Sequence, residues 1–346
     1  GWQTKPTLKA ALYFWQATHP LILQAQLSVL TADTPQNKKE IRVLEYTVKN
    51  DTKISKITLG TAQLGQSYGI NNTSGIPDGK EAENILNTAL SLGINTFDTS
   101  NDYGDSEKII GEFFGRRKES PVIVTKTGAE GSKAALYDML AENAEKSLKN
   151  LNVSSLPCLM LHHEKFVTES GRALIDAINK LKSNGIIRKT GISFSDKADM
   201  KKILSEGSFD FVQLPMNIFD CEEILNGTLS KLNKSGMTVF VRSVYLQGLF
   251  FKDPDTLPKK LRSAKEHLLK LRALSERYGV SVQAMASGFI YFSEGVDSVL
   301  VGCEKASQLE ESAKLPLPLP KKLTEEIFEI SQKIPSVVKH PWEWNN

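Results

Sequence analysis

The chain has 346 residues, enough for one large domain or two ordinary ones, with 24% charged, 40% hydrophobic and 8% aromatic residues, a globular composition. Its 43 basic and 40 acidic side chains give a formal charge of +3, which with no dense basic stripe excludes a nucleic-acid binder, and no run approaches the ~18 apolar residues of a membrane span. The three cysteines, Cys158, Cys221 and Cys303, form no C-x-x-C, which excludes a disulfide scaffold and points to a reducing, cytoplasmic location.

Residues 1–42 read as an N-terminal extension without chemistry of its own. Lys5–Leu23 can form a short helix up to Pro20, and Thr31–Lys39 is a polar, proline-containing linker. The apolar stretch Ala10–Trp15 is too short for the core of a signal peptide. Residues 43–335 carry a regular rhythm, and 336–346 form a tail. Ile41–Val48 and Lys53–Leu59 are strand-like runs around Asn50-Asp51, the turn of an N-terminal β-hairpin. β-Branched runs then alternate with amphipathic stretches. Strands are expected at Ile57–Gly60, Asn95–Thr99, Val122–Lys126, Pro157–Leu161, Thr190–Ser193, Phe211–Leu214, Thr238–Arg242 and Ser298–Gly302. Helices are expected at Gly79–Leu92, Ser106–Phe114, Lys133–Leu148, Arg172–Leu181, Lys197–Leu204 and Leu261–Tyr278, with Gly93, Gly185 and Gly236 where a helix end favours glycine. Eight strand–helix units over roughly 250 residues match a (β/α)8 TIM barrel, whose site lies at the C-terminal ends of the strands. A doubly wound open sheet is the alternative, although no G-x-G-x-x-G follows the first strand.

The residues that close the strands carry the functional signal. They are Asp98, Lys126, His162, a position near Ser193, Gln213 and the pair Arg242-Ser243. A barrel gathers an acid, a lysine, an imidazole, an amide and a guanidinium on one face, and charged groups are rarely buried unless paired.

On these residues the chain resembles the aldo-keto reductases. The matching segments are Gly60-Thr61-Ala62-Gln63-Leu64-Gly65, Phe97-Asp98-Thr99-Ser100-x-x-Tyr103-Gly104-x-Ser106-Glu107, Val124-Thr125-Lys126, Leu159-Met160-Leu161-His162, Gly191-Ile192-Ser193, Val212-Gln213 and Gln247-Gly248-Leu249. The resemblance implies an oxidoreductase that moves a hydride between a nicotinamide cofactor and an aldehyde, ketone or sugar carbonyl or alcohol. It implies Asp98, Tyr103, Lys126 and His162 as catalytic residues. The cofactor residues it implies are Gly60, Thr61, Ser193, Gln213, Arg242, Ser243, Gly302, Lys305, Gln308 and Glu311. NADP(H) is the family expectation, with NAD(H) the alternative because Gly302, Glu304 and Gln308 stand at usually basic positions and only Lys305 is basic. Arg242 stands where many members stack an aromatic ring on the nicotinamide, and Phe194 where the family often has Asn.

These roles are chemically coherent. Carbonyl reduction needs a proton donor, and Tyr103 can serve if Lys126 lowers its pKa from about 10. Asp98 keeps Lys126 charged, and neutral His162 orients the carbonyl, with His163 as its competitor. A metal held by Cys158, His162 and His163 is disfavoured for want of a second cluster. Other readings are a Schiff-base lyase using Lys126, which Asp98 opposes by raising the lysine pKa, and a non-catalytic nucleotide-sensing subunit. The aromatic end His340–Trp344 either packs on outer helices or forms a flap over the mouth. The partner is a small carbonyl or sugar compound, with neither nucleic acid nor membrane expected.

Overall fold

The computed structural model describes residues 44–344, apart from positions 71, 73, 131, 198, 208, 315 and 316. The expected helix Lys5–Leu23, the linker Thr31–Lys39 and the start of the strand-like run at Ile41 lie outside the described residues.

Tyr46–Lys49 (β1) and Thr52–Ser55 (β2) pair antiparallel around Asn50 and Asp51. Both turn residues are left-handed, with φ of 50° and 56°, a conformation that Asn and Asp accept because their short side chains bond locally. The run Lys53–Leu59 is not one strand but two, broken at Lys56. The Lys56 N–H serves the hairpin by donating to the Glu45 carbonyl, while its own carbonyl accepts from Val299 in the barrel.

From there eight strands close into a parallel barrel. They are Ile57–Gly60 (β3), Thr96–Asp98 (β4), Val122–Thr127 (β5), Leu156–Leu161 (β6), Ile187–Ser193 (β7), Phe211–Pro215 (β8), Thr238–Arg242 (β9) and Ser298–Gly302 (β10). Each pairs with its sequence neighbour, and β10 closes the ring between β9 and β3, so the fold is a (β/α)8 TIM barrel. The expected helices form with adjusted ends: Gly79–Ser91, Ser106–Phe114, Leu136–Leu151, Arg172–Ser183, Met200–Glu206 and Lys265–Tyr278. Lys133–Ala135 and Lys259–Ala264 are tight 3-10 turns leading into helices rather than α-helix. Gly93, Gly185 and Gly236 all take positive φ, 83°, 75° and 85°, as helix-terminating residues should.

Helix spacing explains the outer layer. On Gly79–Ser91 the buried residues are Ala82, Ile85, Leu86 and Ala89, one helical stripe facing the strands. Strand alternation explains the inner layer, where Val124, Cys158, Met160, Phe211 and Phe240 form a separate interior cluster. Ile54 of the hairpin joins that cluster. Nearby, Asn50 donates to the carbonyls of Asp210 and Gly236, and Lys49 pairs with Asp297 at 2.7 Å. These partners precede β8, β9 and β10, so the hairpin seals the N-terminal end of the barrel. The opposite end is left for the polar residues.

Candidate active site

Period-two alternation places the site. Val124, Met160, Phe211 and Phe240 point into the barrel, so the residues two positions on, Lys126, His162, Gln213 and Arg242, emerge on the same side at the C-terminal mouth. Cys158 lies four residues below His162, within the apolar interior. Among the described residues no group of three His, Cys, Asp or Glu side chains is placed to hold a metal.

Lys126 is the centre of the arrangement. Its Nζ lies 2.5 Å from Asp98 Oδ1 and donates to the Thr99 carbonyl at 3.1 Å. The second Asp98 oxygen accepts from Gln213 Nε2 at 2.7 Å, and Gln213 Oε1 accepts from Ser193 Oγ at 3.3 Å. Burial pulls the lysine pKa down, but the Asp98 and Tyr103 charges and the Asp98 hydrogen bond outweigh it, and the pKa ends above its usual value. A lysine held as ammonium in this way is a poor nucleophile, which counts against Schiff-base chemistry at Lys126.

Tyr103 lies beside this cation, with Lys126 Nζ 5.1 Å from its ring centroid. Two glycines make that position possible. A Cβ on Gly65 would fall 1.7 Å from the Tyr103 carbonyl oxygen, and one on Gly104, at φ 53°, would fall 2.3 Å from the Gly65 carbonyl oxygen. The loops after β3 and β4 therefore cross in backbone contact. Thr61 ties the crossing to the strand end: its N–H and hydroxyl both donate to the Asp98 carbonyl at 2.9 Å, and its Oγ1 accepts from Ser106 Oγ at 2.8 Å.

The phenol does not follow the sequence expectation. Burial pushes its pKa up, Lys126 pulls it down and Asp98 raises it again, so it ends above the usual value of 10.0. The Lys126 charge is largely answered by Asp98, and desolvation of the phenolate outweighs what remains. Tyr103 is therefore a protonated phenol at neutral pH, the form that a proton donor requires.

His162 faces Tyr103 across the mouth, with ring centroids 5.7 Å apart, and stacks on His163 at 5.0 Å. Its Nδ1 lies 3.3 Å from Asp102 Oδ2 and 3.4 Å from Ser100 Oγ. His163 turns away, its Nδ1 lying 3.4 Å from Ser195 Oγ. Burial, and then the positive charges of Lys126, His163 and Arg242, lower the His162 pKa to about 3. A protonated His162 is thus disfavoured in the fold, and its contribution reduces stability as pH falls from the unfolded value near 6.5 towards 3. An imidazole NMR titration should show the His162 inflection only at about 3, with the ring neutral at pH 8 and no inflection near pH 6.5 from this residue. A titration near 6.5 would mean that the ring is solvated and away from Lys126.

A cleft of about 400 Å³ opens at this mouth. Asp98, Tyr103, Gln213 and Arg242 line one part of it, and Gly302, Glu304, Gln308 and Glu311 line another. Gly60, Thr61 and Ser243 also line it. The loop after β9 forms a wall in which Ser243, Leu246 and Gln247 take φ of 63°, 47° and 53° ahead of Gly248 at 91°. Left-handed non-glycine residues cost of order 1 kcal/mol each and concentrate at functional sites. The Ile70 N–H donates to the Gln247 carbonyl at 3.1 Å, joining the loops after β3 and β9.

Two implied cofactor residues lie outside the lining. Ser193 backs Gln213 instead. The Lys305 side chain is exposed and outside the lining, and its N–H donates to Gln308 Oε1 at 3.2 Å. Arg242 lines the cleft with its guanidinium fastened to the Phe194 carbonyl at 2.9 Å and to Ser195 Oγ at 3.2 Å. The Phe194 side chain is buried in the outer core and offers only that carbonyl. Tyr68, Asn72 and Phe251 line the cleft without any motif to announce them. The tail forms Ser336–Lys339 and a turn at Pro341–Glu343, with Val338 buried and Trp344 Nε1 donating to the Val337 carbonyl at 2.8 Å. No described tail residue lines the cleft, which favours packing over a flap.

The model of the Aldo/keto reductase family matches residues 56–332. The chain belongs to the aldo/keto reductase family. It is an oxidoreductase of the class that transfers hydride between a nicotinamide cofactor and a carbonyl or alcohol. It is 26% identical over 297 residues to an NADH-specific methylglyoxal reductase of Escherichia coli (strain K12), covering 76% of this chain and 90% of that protein. It is 27% identical over 297 residues to an L-galactose dehydrogenase of Arabidopsis thaliana, covering 80% and 87%. An aldo-keto reductase of Bacillus halodurans in its holo form shares the fold, with a TM-score of 0.66 at 20% identity over 83% of this chain and 96% of that one. No helix of the described residues is long and apolar enough to cross a membrane.

Proposed function

We propose that this aldo/keto reductase reduces a small aldehyde, ketone or sugar carbonyl, or oxidises the corresponding alcohol, with Asp98, Tyr103, Lys126 and His162 as its catalytic residues. One observation carries the reading. A buried ammonium, fixed by Asp98 at 2.5 Å, lies beside a protonated Tyr103, with a neutral His162 ring facing that phenol.

The cleft fits a nicotinamide dinucleotide by the chemistry of its lining. Gln213 and Arg242 supply amide and guanidinium groups at the Tyr103 end, and Ser193 orients Gln213. The Ser243–Gly248 wall has the αL-rich backbone that forms anion-binding concavities, suited to a pyrophosphate. Gly60 and Thr61 line the floor, and Gly302, Gln308 and Glu311 line the far end. A nicotinamide bound there supplies or takes up the hydride. Tyr103 gives its phenolic proton to the developing alkoxide, and the Lys126 ammonium stabilises the phenolate left behind. Asp98 keeps that ammonium charged and in place. His162 positions the substrate oxygen through its ring edge without becoming charged.

The test is to follow NADH and NADPH consumption by the purified protein with a panel of aldehydes, ketones and sugars. Turnover that disappears with Tyr103→Phe supports the reading. Cofactor binding without turnover on any of these substrates would favour the non-catalytic nucleotide-sensing role.

A further inference from the structure

The fold brings only hydrogen-bond acceptors to one side of the His162 ring. A neutral histidine carries its proton on one ring nitrogen and accepts at the other, and the bond made at the first decides which. Asp102 Oδ2 lies 3.3 Å from His162 Nδ1, and a carboxylate has no proton to give. Ser100 Oγ, at 3.4 Å from the same nitrogen, has one proton, which it donates to the Lys126 carbonyl at 3.3 Å. One lone pair of that hydroxyl accepts the Asp102 N–H at 3.2 Å, which leaves the other for the ring. Nδ1 is therefore the protonated nitrogen. With its pKa lowered to about 3 the ring is neutral at physiological pH, and Nε2 is then a bare lone pair. Among the described residues Nε2 has no hydrogen-bond partner, and it is not sealed from solvent.

We infer that Asp102 is a positioning residue that fixes the His162 proton on Nδ1, so that Nε2 receives a substrate hydroxyl beside the reacting carbon. The substrate class is then α-hydroxy aldehydes and ketones, with the corresponding vicinal diols in the oxidative direction. The inference rests on the proposed reading of the site, in which Tyr103 supplies the proton of reduction. An Nε2 lone pair repels a carbonyl oxygen and repels the developing alkoxide more, so it cannot hold the oxygen that Tyr103 protonates. A hydroxyl is different, because it is itself a donor. The phenol and imidazole rings stand edge to face with centroids 5.7 Å apart. Two oxygens on neighbouring carbons can be held between them, the carbonyl by Tyr103 and the hydroxyl by Nε2. The balance of the reduction is unchanged. The carbonyl carbon takes the hydride, its oxygen takes the Tyr103 proton, and the α-hydroxyl keeps its own. The Asp102 side chain is 62% exposed, so water competes for it and its hold on the ring is a bias of about fivefold at most.

The experiment labels the histidines of the full chain with nitrogen-15 and reads the ring-nitrogen shifts by NMR at neutral pH without ligand. Those shifts tell a protonated nitrogen from a bare one, and His162→Gln assigns the signals. The parent should carry the His162 proton on Nδ1. Asp102→Ala, with a thermal melt to confirm that it is folded, should raise the share of the Nε2-protonated form. Kinetics then compare glycolaldehyde with methoxyacetaldehyde, which keeps the α-oxygen but has no O–H to give. The parent should favour glycolaldehyde in kcat/KM by about fivefold to tenfold, the worth of one hydrogen bond. Asp102→Ala should cut that ratio about threefold. A parent protonated on Nε2 overturns the inference. A proton that stays on Nδ1 to the same extent in Asp102→Ala overturns the role of Asp102, and a parent without preference for glycolaldehyde overturns the substrate class. A protein that reduces no carbonyl with either nicotinamide cofactor overturns the reading of the site, and the substrate class with it. That failure is distinguishable, because the proton on His162 is read on the unliganded protein.

Discussion

Tyr103→Phe is expected to lower carbonyl reduction by about 10²–10⁴ in kcat, the usual cost of losing a positioned general acid. Cofactor dissociation constants should change little, because the variant removes one oxygen and keeps the ring that packs against His162 and the Lys126 cation. The pH dependence gives an independent check. The phenol pKa lies above 10.0, since burial outweighs the Lys126 field. The donor therefore keeps its proton through the neutral range, and reduction should show no loss of this acid below about pH 10. Alcohol oxidation needs the phenolate, so its rate should rise with pH through the neutral and mildly alkaline range. Steady-state rates in both directions from pH 6 to 10 test this, and Tyr103→Phe should flatten the oxidative rise. Turnover within about threefold of the parent would assign the proton to His162 or to water.

The contrast between what was legible in the sequence and what was not follows from range. The barrel could be read because each strand is a short local pattern, and alternation fixes which side chain points inward. Lys126 lies two residues beyond Val124, and Gln213 two beyond Phe211, so their shared face needs no tertiary information. The Asp98–Lys126 pair was legible for the same reason, both residues lying at strand ends. What the sequence missed depends on depth or on remote contacts. The phenol shift was expected in the wrong direction because the sequence shows the neighbouring lysine but not the desolvation that outweighs it. Lys305 is implied as a cofactor residue by its place in a segment, and only the structure shows that the turn into Ala306–Lys314 leaves its side chain exposed and outside the cleft lining. The i, i+4 spacing of Glu304 and Gln308 is local, and it permits the side-chain bond observed between them at the far end of the cleft.

Lys126→Met separates what the lysine does for the fold from what it does for the reaction. Lys126 is 1% exposed and Asp98 4% exposed, so removing the cation leaves a buried carboxylate with Gln213 Nε2 as its remaining side-chain donor. Breaking a buried pair on one side costs about 3–5 kcal/mol, far more than an exposed pair would. Urea unfolding should therefore show a lower midpoint for Lys126→Met, with the slope little changed. Adding Asp98→Asn removes the stranded charge and should recover most of the loss. Turnover should not recover, because the phenolate formed at Tyr103 would still lack its neighbouring cation at any pH. Linkage supplies a second signature. The Lys126 pKa is raised in the fold, so its contribution to stability is complete below the unfolded value near 10.4 and is lost as pH rises through the folded value. The parent should thus lose part of its stability at the alkaline end, a loss that the double variant lacks. A Lys126→Met protein as stable and active as the parent would place the pair outside the reaction. A stable double variant with restored turnover would make Lys126 a partner for Asp98 alone, and the proton chemistry of Tyr103 would then need another source of positive charge, for which Arg242, whose charge already lowers the phenol pKa, is the candidate at hand.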